Sequence, residues 1–282
     1  MSVRIVTDST SDIPRDLAAA WDIEIVPLSV IFGTESFLDG VEMNPEQFMH
    51  KLQTTSALPH TAQPSPAAFS EVYRRLLDAG HDICSVHVSG KLSGTLQSAH
   101  VGGEGIDTNR IAFIDSEWTS MSLGLMALEA ARAARDGASL SEVVVLVERL
   151  RSKVGLLLFC DTLEYLERGG RIGNAAAFMG GLLQVKPIIT LKEGVVVPQE
   201  RVRTRSKAID RLWEWADAFP GLHAFSTLYT GDRQSADDLH ARLTQRFPEA
   251  QAMITHVGPV VTTHVGPGAV GIALLPADSA LQ

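Results

Sequence analysis

Through its first half the chain alternates short apolar runs with helical patterns, and that rhythm admits few folds. The runs VRIVTD (3–8), IEIVPLSVIF (23–32), DICSVHVS (82–89) and RIAFIDS (110–116) have the length and composition of buried strands. Helix starts stand between them. Asn44-Pro45 supplies a cap and then a proline at the first helical position, ahead of Phe48, Met49 and Leu52. Ser65-Pro66 repeats the device ahead of Phe69, Tyr73, Leu76 and Leu77, with Gly80 as the stop. Ser139 with Glu142 predicts a capping box. Buried strands joined by helices imply an α/β/α layer domain, residues 1–155, on a parallel sheet of about four strands.

After residue 155 the rhythm changes. LLLFC (156–160), PIITL (187–191), VVVPQ (195–199), AFSTLYT (224–230), QAMITHV (251–257) and GIALL (271–275) predict six more strands. Two of them flank Lys192-Glu193-Gly194, which reads as a hairpin turn. Helical patterns at 205–219 and 235–247 are interspersed. The whole is an α/β protein of two domains. The second, residues 156–282, is built on a mixed sheet of about six strands, and a ligand cleft is expected between the two.

Apolar content of 45% with 20% charged residues gives such a chain a real core. No apolar run approaches the ~20 residues that cross a bilayer, so no integral membrane association is expected. The first residues lack the pattern of a secretion signal, and Cys84 and Cys160 sit in apolar runs as buried reduced thiols, so the cytoplasm is the expected location. A net charge of −9 argues against nucleic acid and anionic membranes as partners. The charge is uneven. Between Arg168 and Lys207 eight basic residues face only Glu193 and Glu200, a local excess of six positive charges.

The pentapeptide THVGP occurs at 255–259 and again at 263–267, where it runs into Gly266-Pro-Gly-Ala-Val-Gly271. Those letters match G-x-G-x-x-G, but a dinucleotide loop follows a strand and opens a long helix. Here a proline fills the loop and the apolar IALL follows it. No G-x-x-x-x-G-K-[ST] stretch is present either, so no nucleotide cofactor is expected. His81, Cys84 and His87 have a tempting spacing, yet on a strand residue 84 faces away from the other two, and no metal is expected. Three hydroxyl-rich turns are more informative: TDSTSDIP (7–14), the loop around Thr61, and SGKLSGT (89–95). Each adjoins a strand end, the region where parallel sheets bind ligands. Ser93 and Gly94 stand at a helix start, where free N–H groups favour an anion. An ordinary cap and a nucleophile are equally compatible with Ser93, although G-x-x-S-G is not the G-x-S-x-G elbow of hydrolases.

TDSTSDIP, TAQPSPAAF, SVHVSGKLSGTLQSA, DTLEYLERGGRIG, LLQVKPIITL and VGPVVTTHVGPGAVG resemble, in order, the signature segments of the DegV family. The resemblance spans nearly the whole chain. It implies a bacterial protein that binds a long-chain fatty acid in a tunnel, with the carboxylate at the cleft between two domains. Some members serve as the binding subunit of a fatty acid kinase, so a separate kinase is the implied partner, with no cofactor and no catalysis by this chain. The carboxylate ligands carry over to Thr61, Ser93, Gly94 and His264; His256 falls at a variable position. Arg171, Arg203 and Arg205 match the family's basic positions and suit a phosphate or the partner, 203 and 205 sharing a face on an extended strand. Two departures stand out, Gly90 where serine is usual and Thr262 where glycine is usual.

Elementary energetics suit this implication. The ~14 methylenes of a palmitate-sized chain supply ~11 kcal/mol gross on burial, against ~1.5–3 kcal/mol for each charge-assisted hydrogen bond. The tail then sets affinity and the head-group residues set orientation. The alternative is a serine acyl hydrolase or thioesterase using Ser93 and His264; the missing elbow and the lack of an evident acidic third member count against it. The stretch 174–185, NAAAFMGGLLQV, suits a tunnel wall and a core helix equally.

Overall fold

The computed structural model describes residues 2–178 and 185–277. Among them, seven strands form in the first half: β1 (Val3–Asp8), β2 (Ile23–Val26), β3 (Ser29–Phe32), β4 (Glu35–Leu38), β5 (His60–Ala62), β6 (Asp82–His87) and β7 (Ile111–Asp115). Six follow: β8 (Gly155–Phe159), β9 (Lys186–Lys192), β10 (Val195–Val202), β11 (Leu222–Tyr229), β12 (Gln251–His256) and β13 (Val270–Pro276). The fold is α/β, with a parallel four-stranded sheet in the order β2-β1-β6-β7 and a mixed six-stranded sheet in the order β10-β9-β8-β13-β11-β12. The hairpin at Lys192–Gly194 forms as read, joining antiparallel β9 and β10.

A third sheet, β4-β3-β5, departs from expectation. IEIVPLSVIF reads as one strand, but Pro27 has no N–H for the ladder and ends β2 at Val26. The next donor, Leu28 N, bonds Ser9 Oγ at 3.1 Å instead of a strand. The chain restarts as β3, antiparallel to β4 and to β5. Thr61, expected in a loop, therefore lies on β5 opposite Val30.

The predicted caps are all made. Asn44 accepts from Gln47 N at 2.8 Å while Gln47 accepts from Asn44 N at 2.9 Å. Ser65 accepts from Ala68 N, and Ser139 and Glu142 close the second capping box. Each such cap stabilises its helix by ~1 kcal/mol. The helix Ser120–Arg135, SMSLGLMALEAARAAR, has almost no polar face and is buried along nearly its whole length, as such a sequence requires. It packs in one continuous core with Val3 and Ile5 of β1 and with Ala273 and Leu275 of β13, so the two large sheets share their interior. The small sheet closes over the helix Pro259–Val265, with Val260 packed among Leu28, Val30, Phe32 and Phe48. Residues 179–184 of the ambiguous 174–185 stretch lie outside the described residues. Among the described residues no helix is long and apolar enough to cross a membrane.

Candidate functional site

In the parallel sheet the chain leaves β1 toward β2 on one side, while β6 lies on the other. Such a switch point opens a crevice beyond the strand ends. Thr10 follows β1 there, and Ser93 follows β6. Thr61 comes from β5, His264 from the helix Pro259–Val265, and Arg171 from the loop after the helix Glu164–Arg168. All five line one cavity of about 290 Å³, near the lower end of the ~300–1,000 Å³ typical of ligand pockets.

The rest of that cavity is a wall of aliphatic side chains. Leu156 and Leu158 of β8, Ile189 and Leu191 of β9 and Leu228 of β11 line it from the six-stranded sheet. Residues two apart share a face of a strand, so one face of this sheet forms the apolar floor. Val88 and Leu92 close it from the other side. Among the described residues the lining of this cavity is thus chiefly a sheet face. LLLFC could not reveal it, because strands buried on both faces show no alternation.

At the polar end, Thr61 Oγ1 and His264 Nε2 lie 3.1 Å apart. His264 Nδ1 is buried with no partner, and Gly169 packs so close that a β-carbon there would stand 2.3 Å from it. Burial, then the charge of Arg171, holds the imidazole pKa down at about 4, so the ring is neutral at pH 7. A proton on Nδ1 would be an orphaned N–H near a guanidinium, the costlier arrangement. The proton therefore sits on Nε2 and is donated to Thr61, whose own O–H is left free to donate into the cavity.

Ser93 Oγ pairs with Thr95 Oγ1 at 2.8 Å and accepts from Thr95 N at 3.3 Å. Arg171 is braced by Nε to Leu92 O at 3.0 Å and Nη1 to Gly169 O at 2.7 Å. It lines the same cavity as Thr61, Ser93 and His264. Thus two hydroxyls, a neutral imidazole and a guanidinium converge on one end of an apolar cavity. This set can neutralise and hydrogen-bond a single anionic head.

Other predicted positions fall elsewhere. Gly94 caps the helix Thr95–Gly103 outside the cavity lining, and its missing side chain makes room for Gln63, 2.3 Å from where a β-carbon would be. Arg203 is exposed in a surface groove with Arg201 and Lys207. Arg203 and Arg205 do not share a strand face: β10 ends at Val202, and Thr204 caps the helix that Arg205 begins. The Arg205 guanidinium is engaged with Asp232 at 2.8 Å, with Gly268 O at 2.8 Å and over the Phe159 ring. Asp161 faces both Lys186 and Arg205. The local positive excess in the sequence is thus partly offset by carboxylates from outside the segment. His256 stacks on Tyr229 and bonds Glu46 outside the cavity lining, so the two THVGP copies differ in place. Thr262, the second departure, bonds Val257 O. His87 has both ring nitrogens occupied, by Asp8 and Ser85.

Sequence reading missed Gln63, Ser120, Tyr229 and Thr230 as cavity residues. Gln63 alone carried a signal, two positions beyond Thr61 on the same side of an extended segment.

The fold and cavity define a class: an α/β protein whose parallel and mixed sheets enclose an apolar pocket with a polar end. The particular family is equally clear, for the profile of the DegV family matches residues 2–277. The chain belongs to the DegV family. A DegV domain-containing protein of Deinococcus radiodurans is 38% identical over 98% of this chain and 99% of its own length. A DegV family protein of Thermus thermophilus, described for its fatty acid binding, superposes with a TM-score of 0.90 at 37% identity, covering 98% of this chain and 100% of its own. DegV of Bacillus subtilis, described as a fatty acid binding protein, gives 0.89 at 31% identity over 98% and 99%.

Proposed function

We propose that this protein binds one long-chain fatty acid, tail in the cavity between a first unit of residues 1–155 and a second of 156–282. Its carboxylate meets Thr61, Ser93 and Arg171, and His264 orients Thr61. One observation carries the reading: the apolar cavity is lined by hydroxyl and guanidinium donors and, among the described residues, by no carboxylate. A buried carboxylate needs just such donors. The Thermus thermophilus and Bacillus subtilis relatives, both described as binding fatty acids, agree with it. Mass spectrometry of lipid extracted from the purified protein tests the reading directly. One equivalent of a free C14–C18 acid is expected; no lipid, with no binding of added palmitic or oleic acid, refutes it.

In this reading the chain presents the carboxylate to a separate fatty acid kinase and performs no chemistry itself, consistent with a cytoplasmic carrier. Ester cleavage is disfavoured by a specific contact: Ser93 faces Thr95, while His264 Nε2 faces Thr61, so nucleophile and base are not paired. Of Arg171, Arg203 and Arg205, Arg203 is the exposed one, suited to a partner or to transferring phosphate. Arg203→Ala is expected to leave palmitic acid affinity unchanged and to slow acyl-phosphate formation with the kinase. Equal turnover in both proteins would remove Arg203 from the partner surface.

A further inference from the structure

Ser89 holds together the turn that presents Ser93, although it does not itself line the cavity. Its hydroxyl accepts from Lys91 N at 3.1 Å. Its carbonyl accepts from Leu92 N at 2.9 Å and from Ser93 N at 3.1 Å. The one hydroxyl proton goes across to the other sheet, donated to Gly194 O at 2.8 Å. Gly194 closes the β9–β10 hairpin at φ +77°, and a β-carbon there would stand 2.3 Å from Ser89 Oγ. The contact is close enough to require glycine. Ser89 is fully buried, so bulk water does not compete for either contact. Arg171 Nε grips the same turn at Leu92 O. The turn carrying Ser93 is therefore held at two points by groups from the second half of the chain.

We propose that Ser89 is a positioning residue for head-group recognition. Through the Gly194 carbonyl it locks the turn that aims Ser93 into the cavity, so preference for a carboxylate head depends on the β9–β10 hairpin. The inference rests on the carboxylate reading above. Its physical basis is that a binding group is precise only when its support is itself locked.

Wild type, Ser89→Ala, Gly194→Ala and the double variant are titrated with palmitic acid and with 1-hexadecanol, whose tails match and whose heads differ. Each single variant is expected to bind the acid at least about tenfold more weakly, equivalent to ~1.4 kcal/mol, and the alcohol within about twofold of wild type. The double variant is expected to lose no more than the larger single loss, because both changes break one contact. Without ligand, the amides of Lys91, Leu92 and Ser93 are expected to exchange hydrogen faster in Ser89→Ala. Variants that keep the acid-over-alcohol preference of wild type, or that lose both ligands equally, overturn the positioning role. A wild type with no preference for the acid overturns the head-group reading itself, and the positioning role falls with it.

Discussion

Leu228→Trp is expected to abolish palmitic acid binding, whereas Ser93→Ala weakens it by about 10–150-fold, the loss of one charge-assisted hydrogen bond. Leu228 is buried in the six-stranded sheet and lines the cavity. An indole there occupies space that the acyl chain needs, within a cavity of only about 290 Å³. Tail burial is worth ~11 kcal/mol gross for ~14 methylenes, several times any one head-group bond. Blocking the tail thus outweighs trimming the head. Displacement of a fluorescent fatty acid measures both affinities, and thermal unfolding without lipid reports whether the larger side chain is accommodated. Overpacking costs ~1–3 kcal/mol where no space exists, so an unfolding temperature near that of wild type separates blockage from misfolding. Palmitic acid affinity in a folded Leu228→Trp within tenfold of wild type would place the tail outside this cavity.

Stability is expected to fall as pH rises from 6.5 to 8.5. Asp12 and Asp39 flank Gly258: Gly258 N donates to Asp12 Oδ1 at 2.9 Å, and a β-carbon on Gly258 would lie 3.0 Å from Asp12 and 3.3 Å from Asp39. Burial pushes Asp12 up to about 7 and Asp39 up to about 8; the Ser120 and Gly258 bonds restrain the first, and the Asp12 charge adds to the second. In the unfolded chain both ionise near 3.9. Their protonated forms therefore stabilise the fold fully below that value, and the benefit is lost as pH rises through 7 and 8. Below 6.5 the depressed His264 acts in the opposite sense, because the unfolded chain takes up a proton that the buried ring refuses. The window from 6.5 to 8.5 rests mainly on the carboxyl pair; the Cys84 and Cys160 thiols, pushed up to about 12 by burial, add the same sign at its upper end.

The slope reaches ~1.4 kcal/mol per pH unit for each carboxyl still protonated, so a loss of roughly 2 kcal/mol or more across the window is expected. Urea unfolding at pH 6.5, 7.5 and 8.5 measures it. Asp39→Asn removes the group with the higher pKa and is expected to take away about two thirds of the carboxyl contribution to the slope. A wild-type slope that is flat or rising over this range would rule out the protonated pair. Because Gly258 caps the helix that carries His264, the same titration is felt next to the head-group end of the cavity.

Most of the regular structure was legible because its signals are local. Asn44, Ser65 and Ser139 act within one helical turn of themselves, and their caps formed as read. Strand runs around β1, β6, β7 and β8 through β13 are short apolar stretches bounded by turn residues, which need no distant partner to be recognised. The failures have a common cause. Pro27 cut a single apolar run into strands of two different sheets, and the polar β4 and β5 acquire strand geometry only by pairing with β3. Arg203 and Arg205 shared a face only while the chain stayed extended, and the Thr204 cap ended that. Gly94 reads as an anion contact from its place at a helix start, yet it is the packing of Gln63 that uses its small size.

The α/β class, the two kinds of sheet, most helix starts and the set of hydroxyl-bearing turns are written in local sequence. Each depends on residues a few positions apart. Tertiary packing alone brings Thr61, Ser93, Arg171 and His264 to one cavity. It also decided that His264 stays neutral, that Asp12 and Asp39 are pushed toward neutral pH, and that Ser89 reaches Gly194. Thr61 and His264 are 203 positions apart. Their contact, and the desolvation that shifts these ionisable groups, arise only when distant segments exclude water together.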